Sequence, residues 1–128
     1  MLTTIGIDLA KTVLHAVAMD AGGKVVQRRK LDRAKLVEWL ANQEPCLVGM
    51  EACAGAHHLA RALAAQGHDV RLMPGQYVKP FVKTHKNDLS DAEAIAEAVQ
   101  RPQMRFVPVK TPAQLRSEEH TSELQSLR

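Results

Sequence analysis

The first thirty residues carry apolar positions in short runs with a period near two, the spacing that puts alternate side chains on opposite faces of a strand. Residues 3–8 (TTIGID) and 12–19 (TVLHAVAM) are two such runs, and Ala10 and Lys11 fall at the turn between them, which predicts a β-hairpin. A third run, residues 24–30, follows the Ala21-Gly22-Gly23 turn. Its side chains pass from Val25 to Val26, Gln27 and Arg28, as suits an edge strand.

After residue 31 the period lengthens. Asp32 is placed to cap a helix running to about Ala41, with Leu36, Val37, Trp39 and Leu40 on its apolar face and Pro45 beyond its end. Residues 46–50 (CLVGM) are wholly apolar, as a strand covered on both faces should be, and Glu51 follows directly. A second helix is predicted from about Gly55 to Gln66, stopped by Gly67, and then a strand over residues 68–73 (HDVRLM). Residues 74–87, with Pro74, Gly75 and Pro80 among Lys79, Lys83 and Lys86, read as an irregular basic connection with room for one helical turn. A last helix spans about Asn87 to Arg101. Ile95 and Val99 point inward on it, Glu93, Glu97 and Arg101 point outward, and Ser90 with Glu93 makes a possible capping box. Alternation of strand and helix after residue 31 argues an α/β fold with a parallel part.

Composition narrows this picture without changing it. At 128 residues with 45% hydrophobic content the chain can bury one core, but only 3% is aromatic, so stacking on bases is not the expected mode of binding. A net charge of +3 and a pI near 9.1 permit nucleic acid as a partner without requiring it. Cys46 and Cys53 lack a CxxC spacing and read as small buried apolar residues, and no signal peptide or long apolar span is visible; no membrane partner and a cytoplasmic location are the expectations. Residues 116–126 (RSEEHTSELQS) look like the translation of a sequencing-library adapter. The expected organisation is therefore one incomplete domain over residues 1–115 and a non-native polar tail over 116–128.

Four acids stand out by position. Asp8 closes the first strand in IGIDLAKT, and Glu51 closes the fourth, where an α/β sheet usually meets its ligand. Asp88 and Asp91, three apart, share one helix face; they either favour the helix N-terminus through its dipole or hold a hard cation between them. Taken together, IGIDLAKT, the hairpin, VGMEACAG and KTHKNDLSDAEAIAEA resemble the DEDD transposases of the insertion-sequence-110 family, whose N-terminal domain is similar to the RuvC resolvase. The resemblance covers nearly all of residues 3–115. It implies a ribonuclease-H-like mixed sheet of five strands, three antiparallel and two parallel, and maps the family acids onto Asp8, Glu51, Asp88 and Asp91 as catalytic ligands of Mg²⁺ or Mn²⁺. It further implies DNA as substrate, cleavage and strand transfer at phosphodiesters, an element-encoded structured RNA partner and a homo-oligomer. The family's C-terminal half, with its serine nucleophile, lies outside this sequence, so the chain alone is expected to cut DNA poorly or not at all.

Other polar residues take secondary readings. Lys79, Lys83, His85 and Lys86 form a positive strip before the acidic pair that could hold a phosphate backbone, and Lys11 could approach the same strand. Arg28, Arg29 and Lys30 read as edge protection, Met50 and Met73 as core fillers, and His57 and His58 as ordinary helix-start histidines, since oxygen-rich magnesium sites seldom recruit imidazole. Two rivals share the fold class. A sugar-kinase or actin-type ATPase would need glycine-rich phosphate loops, for which AGAHH is a weak substitute, and a non-catalytic interaction domain would need no ion at all.

Overall fold

The structure is a computed structural model that describes residues 3–9, 12–81, 88–111 and 113–114, with residues 88–90 described as backbone only. Strand β1 (Thr4–Leu9) obeys the period of two: Ile5 and Ile7 are fully buried on one side, while Gly6 and Asp8 look to the other. β2 (Leu14–Met19) and β3 (Val25–Leu31) pair antiparallel in sequence, and β4 (Leu47–Glu51) and β5 (Asp69–Met73) run parallel to β1. The sheet order is β3-β2-β1-β4-β5, the expected three antiparallel strands plus two parallel ones. One irregularity interrupts it. Ala18 pairs with Gln27 but Met19 with Val25, so Val26 is an extra residue bulged out of β3.

Helices cover both faces, as the apolar β1 and β4 require. α1 (Arg33–Ala41) begins where expected, with the Asp32 carboxylate accepting from the Lys35 N–H at 2.8 Å, and α2 (Ala54–Ala65) ends before Gly67, whose φ of +98° suits glycine. Leu36, Leu40, Leu59 and Leu63 of these two helices pack with Ile5, Ile7 and Val48. His68 ties this layer to the sheet, because its Nδ1 accepts from the Cys46 N–H at 3.1 Å and its Nε2 donates to the Leu40 carbonyl at 2.8 Å. Burial pushes the neighbouring Cys46 thiol up to about 11.

The opposite face carries the last helix, and here the packing is much tighter. Residues 75–81 fold as a short helix α3 (Gly75–Val78) and a 3-10 turn (Lys79–Phe81), and α4 (Asp88–Val99) then lies across β1, β2 and β4. A Cβ on Gly6 would sit 2.8 Å from Ala96 Cα and nearer still to backbone atoms of Ala92 and Ala96, so only glycine lets helix and strand backbones touch. A Cβ on Gly49 would meet Val99 Cβ at 2.7 Å. Past α4 the chain returns to the sheet: the Val107 N–H donates to Leu72 O at 2.7 Å, and the Lys110 N–H donates to His57 Nδ1 at 3.0 Å. Among the described residues no helix is long and apolar enough to cross a membrane.

Candidate active site

The four acids of interest sit on elements that the topology sends to one end of the sheet. β1 and β4 are parallel neighbours in which Gly6 pairs with Gly49 and Ile7 with Met50, so their last turns reach the same edge and bring Asp8 and Glu51 there together. The face is fixed by the glycines two residues earlier: Gly6 and Gly49 both meet α4, and alternation then turns Asp8 and Glu51 to the α4 side. α4 starts above that edge, because Ala92 is the residue seated on Gly6, and Asp91 directly precedes it.

The result is a cleft of about 190 Å³ lined by Asp8, Glu51, Asp91 and Lys79 over a floor that includes Gly75, Val78 and Ile95. Three acids from three elements and one lysine thus share a single space. A second cleft of about 190 Å³ lies against it, lined by Asp8, Leu9, Glu51, Ala52 and Cys53, so Asp8 and Glu51 form the wall between the two. Glu51 and Asp91 are exposed and Asp8 is half-buried. Among the described residues no three His, Cys, Asp or Glu side chains close on a common ion-sized point, and the Asp88 side chain lies outside the described residues. The donor set is nonetheless all carboxylate oxygen, the chemistry a hard divalent ion takes.

Gly75 makes room for this arrangement. A Cβ there would lie 2.9 Å from Glu51 Cδ, so the glycine at the start of α3 is the surface on which the Glu51 carboxylate rests. Sequence reading treated Gly75 as loop punctuation and missed this, for nothing in the local pattern announces a contact with a strand end twenty-four residues earlier. Of the basic strip, Lys79 is exposed on the rim of the cleft. Lys11, Lys83, His85 and Lys86 lie outside the described residues.

One secondary reading changes. Cys53 is exposed rather than buried, because it stands at the N-cap of α2 where the chain has already left the sheet; Cys46 is buried as expected. His57 is 4% exposed and serves as an acceptor for the Lys110 backbone, while the Arg61 guanidinium donates to the Lys110 carbonyl and, at 2.8 Å, meets His58 Nδ1. Neither histidine lines the carboxylate cleft.

Comparison with known proteins decides the family. The family model for IS110-type DEDD transposases, described as "Transposase", matches residues 5–127. The chain belongs to the IS110 transposase family. Its match runs on through residues 116–127, the stretch that looks like the translation of a sequencing-library adapter. A probable family 20 transposase from Pseudomonas aeruginosa is 51% identical over 113 residues, covering 88% of this chain, and the transposase for insertion sequence element IS1328 from Yersinia enterocolitica is 47% identical over 110 residues, covering 86%. The chain spans about a third of the length of these curated relatives, 33% in both cases. In fold it is similar to the Thermus thermophilus RuvC structure, with a TM-score of 0.57 at 16% identity over 84% of this chain and 100% of that one. The IS110 domain is thus RuvC-like in architecture, with the α/β sheet that the sequence predicted.

Proposed function

We propose that this chain is the catalytic RuvC-like domain of a DNA transposase, in which Asp8, Glu51, Asp88 and Asp91 hold divalent magnesium or manganese for cleavage and strand transfer at phosphodiesters. The observation that carries the reading is the convergence of Asp8, Glu51 and Asp91, from β1, β4 and α4, on one solvent-open cleft with Lys79 at its rim. Adjacent like charges raise each other's free energy, and a hard cation between them removes that cost while drawing on oxygen donors alone. When bound, such ions polarise the phosphodiester and stabilise the charge that develops on its oxygens.

The chain's own residues supply position and charge. Asp8 and Glu51, fixed at the ends of paired strands, form one rigid wall. Asp91 is carried by a helix whose backbone touches β1, so its distance from that wall is set by glycine contacts rather than by flexible side chains. Lys79 meets a phosphate oxygen at the rim, a contact that adds affinity without sequence preference. In this reading the whole transposase adds a serine nucleophile from a further domain, assembles as a homo-oligomer and works in the cytoplasm with a structured RNA, and the present chain binds metal and DNA but cuts poorly alone.

The deciding experiment follows thermal unfolding of the 128-residue chain across a Mn²⁺ titration, for wild type, Asp91→Asn and Glu51→Gln. Wild type should gain stability with Mn²⁺, by about 2.7 kcal/mol at a hundredfold excess over Kd. Both variants should lose most of that gain. An identical Mn²⁺ response in all three rejects the site and favours an interaction domain that keeps only the fold.

A further inference from the structure

Five of the six residues of β2 are Leu14, Ala16, Val17, Ala18 and Met19, and the sixth is His15, 4% exposed between the flanking strands β1 and β3. Its place is specific. His15 pairs with Asp8 of β1 on one side and with Lys30 of β3 on the other. Val17 and Met19, two and four residues further along β2, pack with Ala92 and Ala96, so His15 belongs to the face of the sheet that α4 covers. Asp8 belongs to the same face, by the alternation that turns Gly6 towards α4. Directly opposed residues of an antiparallel pair have Cβ atoms about 4.5 to 5.5 Å apart, within reach of one side-chain hydrogen bond.

We infer that His15 is a positioning residue for Asp8, holding its carboxylate in the orientation that an ion requires. An imidazole buried in an otherwise apolar strand needs a polar partner, and its choice within this row is restricted by chemistry. In either charge state imidazole offers at least one N–H. A carboxylate is the group in the row that only accepts, and a lysine ammonium only donates, so within this row Asp8 can take an imidazole N–H and Lys30 cannot. The consequence for Asp8 is a carboxylate with one orientation selected before any ion arrives. Groups that orient a ligating side chain in this way typically change metal affinity by about 10- to 100-fold when removed. The inference rests on the reading of Asp8 as a metal ligand.

The test measures Mn²⁺ affinity of the 128-residue chain by electron paramagnetic resonance of free ion, for wild type, Asp8→Asn, His15→Leu and His15→Gln, with thermal unfolding as a check on folding. His15→Leu should weaken Mn²⁺ by about tenfold or more, and His15→Gln, which keeps an N–H, should return to within about threefold of wild type. A His15→Leu chain that folds and binds Mn²⁺ like wild type overturns the inference. So does a His15→Gln chain as weak as His15→Leu. If His15→Leu does not fold, His15→Asn is compared with His15→Gln: the shorter amide should bind Mn²⁺ at least about fivefold more weakly, and equal affinities overturn the inference. Failure of the underlying reading looks different, since wild type would then bind no Mn²⁺ or Asp8→Asn would bind it unchanged.

Discussion

Replacing Gly6 by Ala adds one methyl group at the point where β1 and α4 touch. The new Cβ would lie 2.8 Å from Ala96 Cα, against the roughly 3.5 to 4.0 Å of a relaxed carbon contact, so α4 must lift by about 1 Å. Overpacking of a core commonly costs about 1 to 3 kcal/mol when side chains can yield, and here the obstacles are backbone atoms of Ala92 and Ala96 that cannot. Alanine's lower unfolded-state entropy returns only about 0.4 to 1 kcal/mol, so the expected net loss is roughly 3 kcal/mol, or a fall of some 10 to 20 °C in Tm. Gly49→Ala provides the control. Its Cβ meets the Val99 side chain rather than backbone, so the loss should be smaller, about 1 to 2 kcal/mol, and Val99→Ala should cost less in the Gly49→Ala background than in wild type. Ala96→Gly should bring no comparable relief to Gly6→Ala. Urea unfolding followed by Trp39 fluorescence, the chain's one tryptophan, gives the stabilities of wild type and of each single and double variant. A Gly6→Ala chain within about 1 kcal/mol of wild type, or one restored by Ala96→Gly, would refute the idea of direct backbone contact.

Other outcomes follow from the same geometry. Gly75→Ala puts a Cβ 2.9 Å from Glu51 Cδ, at the movable end of a side chain; Tm should stay within a few degrees of wild type while Mn²⁺ affinity falls about tenfold, and unchanged affinity would show that Glu51 does not depend on that cradle. Burial raises the Cys46 thiol from 9.0 to about 11, so the folded chain keeps a proton that the unfolded chain releases: its contribution is complete below pH 9 and lost as pH rises towards 11. Urea midpoints between pH 8 and 10.5 should accordingly fall more steeply for wild type than for Cys46→Ala, and parallel curves would contradict the burial argument. Lys79→Ala should weaken single-stranded and duplex DNA alike and reduce the slope of log affinity against log salt by about 1, whereas an unchanged slope removes Lys79 from the phosphate path.

Much of this arrangement was legible in the residue pattern because its causes are local. The apolar runs of β1 and β2, the Asp32 cap and the Gly67 stop each act within a few residues, and they located their elements to within about two positions. CLVGM showed a strand buried on both faces, which placed Glu51 at a strand end and so at the sheet edge. What stayed hidden depends on distant partners. Gly75 matters because of Glu51, His57 because of Lys110, and Gly6 because of Ala92 and Ala96; none of these pairs shares a local period. Cys53 was misplaced because a small apolar residue looks alike in a core and at a helix cap. His15 was detectable in principle, as the one polar side chain within TVLHAVAM after Thr12, but its significance appears only when register sets it beside Asp8.

The bulge at Val26 also bears on how molecules of this domain avoid one another in a crowded solution. β3 is the outermost strand on its side, and a straight outer strand with free amides would invite a second copy to add on and continue the ladder. With one residue too many opposite Ala18 and Met19, β3 kinks and its outward amides fall out of step with any regular newcomer, while Arg28, Arg29 and Lys30 repel a like-charged copy. Deleting Val26 would straighten that border, and the price would be paid as oligomers and fibrils rather than as lost folding.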